Sequence, residues 1–256
     1  FSRSPLTNQP HLRGLADYYW EWLSHPEYDE YWREICIADK FAQIDLPAFS
    51  YGGWYDVFMA GTIRGYEGLR SHAPSKKSRD AQRLLIGPWV HLRNCPGHVG
   101  DYNFGTRAGA YHLGLETKIL SFFDHHLRDA PGPKDGPVEI FAMGENRWRT
   151  YDNWPPDGFH ETNLYLHGNG KSASCIDCGE LSFEFPSDEP TEAYVYNPTD
   201  PVPTVGGGLC CDSAWMKWGP YDQSGIEQRS DVLTFTTQEL AMDLEITGWV
   251  KLTLFA

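Results

Sequence analysis

Asp56 and His91 are the residues whose types and places could do chemistry together. Asp56 closes the stretch YGGWYD, directly after an apolar run and a Gly pair, and His91 closes LLIGPWVH after a second apolar run. They lie 35 residues apart, one strand, helix, strand step. Parallel strands would deliver both side chains to one edge of a sheet, the carboxyl edge where open α/β sheets place their ligands. A carboxylate beside an imidazole there fixes the ring's tautomer and steadies the imidazolium while the ring moves protons. Each residue also has a plainer reading: an Asp entering a helix caps its free amides, and a loop histidine bonds to backbone.

A second chemistry competes for the same loop. His91, Cys95, His98 and Asp101 stand at spacings of four, three and three, and all are zinc-ligand types, so a metal-dependent hydrolase or a structural zinc site is a rival reading. Its weakness is the glycine-rich stretch, which leaves the ligands unbraced unless other groups orient them. Cys175 and Cys178 form a lone C-x-x-C, a weak signal for zinc or redox work that is read instead as a turn-borne structural or incidental pair. The six cysteines are too few and too unevenly placed for a disulfide scaffold, which leaves the compartment open.

The elements that must position these residues follow from periodicity. Residues 1–43 are helix-like, with Tyr18, Tyr19, Trp22 and Leu23 at helical spacing and a second aromatic group at Tyr28, Tyr31 and Trp32. From Ile44 the pattern changes to an apolar strand (IDLPAFSYGG), a helix (DVFMAGTIRGYEGLR), a polar linker (SHAPSKKSRDAQ) and a second strand (RLLIGPW). That is the repeating unit of a parallel sheet covered by helices. After a Gly-rich loop, YHLGLETKILSFFDHHLR sets Leu115, Ile119, Phe122 and Phe123 on one helical face. Pro131, Gly132, Pro133 and Gly136 then break the pattern, and a domain boundary is placed there. Beyond it PVEIFAM, TNLYLH, LSFEF, EAYVY, DVLTFTT and LEITGWVKLTLF read as short strands of a β-sandwich, the last the clearest because its apolar residues alternate strictly. The fold class expected is therefore α/β plus all-β.

Composition narrows the function classes. With 41% hydrophobic and 14% aromatic residues, the chain should fold around packed cores. Its formal charge of -14, with no Lys/Arg cluster, would repel nucleic acid and anionic membrane surfaces, and neither is expected as a partner. No apolar run is long enough to span a bilayer, and the first residues carry no signal-peptide core, so a soluble protein is expected.

The local wording goes further than the pattern. G-G-W-Y-D-x-F after one strand, G-P-W-x-H after the next and F-F-D-x-x-L on a helix resemble the CocE/NonD-type serine hydrolases, the family of cocaine esterase, X-Pro dipeptidyl-peptidase and glutaryl-cephalosporin acylase. HPEYDEYW (25–32) looks like the end of that family's helical cap, and NPTDPVPTVGGG (197–208), DVLTFTT and LEITGWVKLTLF look like its C-terminal jelly roll. The resemblance covers nearly the whole chain. It implies a helical cap remnant (1–43), the C-terminal part of an α/β-hydrolase domain with its parallel sheet (44–131) and a truncated jelly-roll β-sandwich (137–256).

It also implies that Asp56 is the acid and His91 the general base of a Ser-His-Asp triad, without any cofactor. Acid before base in the chain agrees with the α/β-hydrolase order. The family's nucleophile sits in a G-x-S-Y-x-G elbow upstream of the cap, and no such elbow occurs here. Ser50, in AFSYGG, imitates one but lies within the strand that delivers Asp56, where a buried strand serine is the plainer reading. The oxyanion hole likewise belongs to the upstream half. The chain, which starts at Phe1, is therefore expected to be a piece, inactive alone, with the N-terminal hydrolase half as a possible partner. Members acting on α-amino acyl groups place carboxylates two and three residues after the acid. Here those places hold Phe58 and Met59, which favours an apolar acyl pocket walled by Trp54 and Phe58, although both Phe58 and Met59 also suit a helix core. The GGGLCC loop reaches the active-site mouth in esterase members, which makes Leu209 and Cys210 pocket candidates. The substrate expected is a small or short-peptide acyl ester or amide. A reading from another class is a non-catalytic jelly-roll module that binds a carbohydrate or a partner chain.

Overall fold

The computed structural model describes residues 5–91, 96–171, 179–210 and 216–255. The N-terminal segment holds two short helices, α1 (Tyr18–Ser24) and α2 (Glu30–Ile35). Asp29 starts α2 by accepting the Tyr31 N–H at 3.1 Å and also meets His25 Nδ1 at 2.5 Å. His25 stacks on Tyr31 with 4.3 Å between ring centroids, while the Trp32 indole donates to the His25 carbonyl at 2.8 Å. The polar and aromatic groups of the 25–32 motif thus satisfy one another.

β1 (Phe49–Tyr55), α3 (Met59–His72), α4 (Lys76–Asp80) and β2 (Arg83–Val90) form the parallel unit that the sequence predicts. The stretch read as a linker contains α4, which Ser75 caps by accepting the Ser78 N–H at 3.0 Å. Every residue of β2 after Arg83 is buried, as a parallel strand covered on both faces requires. The 98–103 loop forms a small hairpin of β3 (His98–Val99) and β4 (Tyr102–Asn103). Gly114, at φ +73°, divides the next predicted helix into α5 (Ala110–Leu113) and α6 (Leu115–Arg128). Leu115 and Phe122 are buried, but Phe123 stands 52% exposed, at the edge of the apolar stripe.

β5 (Val138–Ala142) pairs parallel with β2, and β6 (Arg147–Tyr151) pairs antiparallel with β5, so one four-stranded sheet runs β1-β2-β5-β6. The 131–136 break therefore connects two parts of one sheet, and PVEIFAM, read as the first sandwich strand, is its third strand. Apolar residues on both faces of β5 (Val138, Ile140 and Phe141 all buried) explain this, since a one-sided sandwich strand would expose alternate positions. Ile63 and Tyr66 of α3 pack with Leu84, Ile86, Val138 and Ile140 on one face, and Leu85, Trp89, Ala110 and Leu115 pack on the other.

Farther along, β7 (Tyr165–His167), β8 (Gly179–Ser182) and β9 (Phe235–Thr237) make a three-stranded sheet, antiparallel then parallel, with α7 (Ser224–Glu227) between β8 and β9 in the chain. EAYVY and LEITGWVKLTLF form no strand. Leu244, Ile246, Val250, Leu252 and Leu254 are all more than half exposed. An alternating stretch becomes a strand only when a neighbour supplies its hydrogen-bond ladder and a second layer covers its apolar face, and residues 244–255 meet neither among the described residues.

Candidate active site

β1 and β2 run in register from Phe49↔Arg83 to Gly53↔Gly87, then slip by one residue so that Tyr55 faces Val90. The slip is a bulge on β2, and it brings the residues after the two strand ends, Asp56 and His91, side by side. Gly53 makes this close approach possible, because a Cβ there would lie 2.1 Å from the Trp89 carbonyl oxygen.

His91 Nδ1 lies 3.0 Å from Asp56 Oδ2. A carboxylate only accepts, so Nδ1 carries a proton, and in the neutral ring the lone pair is then on Nε2. Asp56 Oδ1 accepts the Phe58 N–H at 2.8 Å at the entry to α3. The contact at the helix entry and the contact to the imidazole thus do not compete, since each uses its own oxygen. The Asp56 side chain is only 13% exposed and that of His91 47%, so the carboxylate is sheltered and the imidazole faces outward. Among the described residues Nε2 has no hydrogen-bond partner, which is the state a general base needs. The Phe58 ring meets the imidazole edge-on, 5.0 Å between centroids at 75°, and braces it from the side.

The structure gathers some of the other candidates here. A side-chain carbon on Gly208 would lie 3.3 Å from the Asp56 carbonyl oxygen, so the loop carrying half-buried Leu209 and Cys210 lies against the Asp56 turn. Cys210 is disulfide-bonded, whereas Cys36 is free. Trp54 lies apart from this group: its indole donates to the Phe141 carbonyl at 2.9 Å and packs on the α3 face of the sheet. Ser50 is six positions before Asp56 on β1, about 20 Å along an extended strand from the site. Of the rival metal set, Cys95 lies outside the described residues, as do Cys175, Cys178 and Cys211. No three His, Cys, Asp or Glu side chains among the described residues gather to hold a metal ion. His98 and Asp101 are exposed on the β3–β4 hairpin.

One support was not foreseen. Gly207 and Gly219 exchange N–H···O bonds at 2.7 and 3.0 Å, and the Pro220 carbonyl accepts the Asp101 N–H at 2.9 Å. The C-terminal region thereby touches both the Asp56 turn and the hairpin that follows His91. The positive φ of Gly206, Gly207 and Gly219 allows it, and the GGG run was its only trace in the sequence.

A mixed sheet with helices on both faces and an acid-base pair at the carboxyl ends of adjacent parallel strands is the layout of an α/β hydrolase. Comparison with known proteins agrees. Residues 4–93 match the sequence model of X-Pro dipeptidyl-peptidase (S15 family), and residues 133–256 match that of the X-Pro dipeptidyl-peptidase C-terminal non-catalytic domain. Cocaine esterase from Rhodococcus sp. (strain MB1 Bresler) is 35% identical over 99% of this chain and 43% of its own length. Among solved structures, an α-amino acid ester hydrolase aligns with a TM-score of 0.72 at 28% identity, over 93% of this chain and 39% of its own. An aminopeptidase from the marine sediment archaeon Thaumarchaeota archaeon aligns with a TM-score of 0.67 at 28% identity, over 87% of this chain and 36% of its own. The chain belongs to the CocE/NonD family, and it spans less than half the length of each of these relatives.

Proposed function

We propose that this chain supplies the acid and the base of a serine hydrolase that cleaves an acyl ester or amide bond. The observation that carries the reading is the 3.0 Å contact between Asp56 and His91 Nδ1 at the ends of two parallel strands. Asp56 holds the Nδ1 proton in place, so Nε2 takes the proton of a serine as that serine attacks the acyl carbon, and returns it to the leaving group. A water then hydrolyses the acyl-enzyme by the same relay. In this reading the serine and the oxyanion hole come from an N-terminal hydrolase half that docks on this chain, and residues 1–256 alone are inactive. Phe58, Leu209 and Cys210 wall an apolar acyl pocket, and the region beyond β6 belongs to a jelly-roll sandwich that shields the site. The match of residues 133–256 to a non-catalytic domain supports that last assignment.

The test is turnover of p-nitrophenyl acetate by the protein that carries both halves, with and without His91→Ala. Loss of about 10³-fold or more in kcat with the fold intact is expected. Unchanged turnover would remove His91 from the mechanism.

A further inference from the structure

His167, at the end of β7, has both ring nitrogens engaged. Nδ1 lies 2.6 Å from Glu189 Oε1, while Nε2 lies 3.1 Å from the Glu184 carbonyl oxygen and 2.9 Å from Ser182 Oγ. The surrounding groups are tied in turn: Glu189 Oε2 accepts the Gly168 N–H at 3.0 Å, and Ser182 Oγ accepts the Glu184 N–H at 3.1 Å. The ring, 20% exposed, therefore joins β7, β8 and the connection that follows β8. A carboxylate and a carbonyl only accept, so the charged ring, with an N–H on each nitrogen, serves Glu189 and the Glu184 carbonyl at once, whereas the neutral ring keeps one N–H and accepts the Ser182 hydroxyl proton at Nε2.

We propose that His167 is a proton-operated latch: charged, it fastens residues 184–189 to the β7–β8 hairpin, and on losing its proton it releases them. The neutral ring has one N–H: kept on Glu189, it leaves the Glu184 carbonyl without a donor and turns the ion pair with Glu189 into an ordinary hydrogen bond, so the connection is held less firmly. Acidic groups surround it from each side. Glu180 faces it across the hairpin, Glu184 and Glu189 stand on the connection, and Glu192 accepts the Gly170 N–H at 2.7 Å just beyond. The hydrogen bond to Glu189 is the foremost cause holding the imidazole above its ordinary value, and the same bond holds Glu189 below the usual carboxylate range. Ser182, His167 and Glu189 also have the outline of a serine triad. A triad needs a bare Nε2 to take the serine's proton, whereas the Glu184 carbonyl beside Nε2 calls for an N–H.

A folded-state value raised above the unfolded one places the latch's contribution below the ordinary imidazole value of about 6.5, and it is lost as pH rises through the raised value. The experiment is an NMR titration of the His167 ring nitrogens in the full chain, with amide hydrogen exchange followed over the same pH range. Both nitrogens should be protonated below the midpoint, and that midpoint should lie above the ordinary imidazole value. The Gly168 and Glu184 amides should lose about tenfold in protection across the midpoint, once intrinsic exchange is divided out. Glu189→Gln should lower the midpoint and abolish that step. Should this variant fail to fold, the unsubstituted chain decides alone. A ring titrating at or below the ordinary value, protection that is flat across the midpoint, or a fluorophosphonate label on Ser182 would overturn the latch.

Discussion

Asp56 gives one oxygen to the Phe58 amide and the other to the His91 ring. Asp56→Asn keeps the amide contact but can present an N–H toward Nδ1, which favours the wrong tautomer. In the complete protein it should lower kcat by about 10⁴-fold with little change in melting temperature, read by steady-state kinetics beside thermal denaturation. This pair was legible in the sequence because a strand end followed by an acid and the next strand end followed by a histidine force adjacency, whatever the packing. Trp54 was not legible in the same way. Its hydrogen bond to Phe141 depends on β5 lying beside β2, and nothing local to YGGWYD records that pairing.

At the scale of elements, the spacing of Asp56 and His91 depends on how closely β1 and β2 approach at their carboxyl ends. Gly53→Ala would drive a methyl group into the Trp89 carbonyl, so the strand ends must part. Lower stability and a longer or broken Asp56–His91 contact are expected, read by urea denaturation and by loss of the downfield His91 Nδ1 proton in NMR. A variant as stable as the parent with that proton unchanged would mean that the close approach does not set the pair. Ile86 is fully buried at the centre of the sheet, and Ile86→Ala should cost about 2–5 kcal/mol by the same urea measurement. Periodicity revealed β1, α3, β2 and α6, whose apolar faces pack on near neighbours. It misplaced β5 because a short apolar strand reads alike in a sandwich and in a parallel sheet. It overstated residues 244–255 because alternation records a face that could be buried, while a strand also needs a neighbour.

At the scale of the molecule, the C-terminal region braces the site through Gly208 and Pro220, and carboxylates tie the outlying segments. Ser75 holds Asp45, Arg229 holds Asp231 and His167 holds Glu189, each below the usual carboxylate range. A depressed folded value contributes stability above the unfolded value, about 4, and loses it as pH falls through the folded one. The imidazoles of His25 and His167 are raised, chiefly by Asp29 and Glu189, so their contributions fade as pH climbs past about 6.5. The urea midpoint should therefore fall below pH 4 and decline again above neutrality. A midpoint flat from pH 3 to 8 would remove these ties from the account. The central claim is that His91 serves a serine lying outside residues 1–256, and fluorophosphonate labelling read by mass spectrometry tests it most directly. The account expects no labelled serine when residues 1–256 are treated alone, and in the protein that carries both halves one labelled serine upstream of Phe1, its labelling lost with His91→Ala. A label on Ser50 or any other serine of residues 1–256, with turnover, would contradict it.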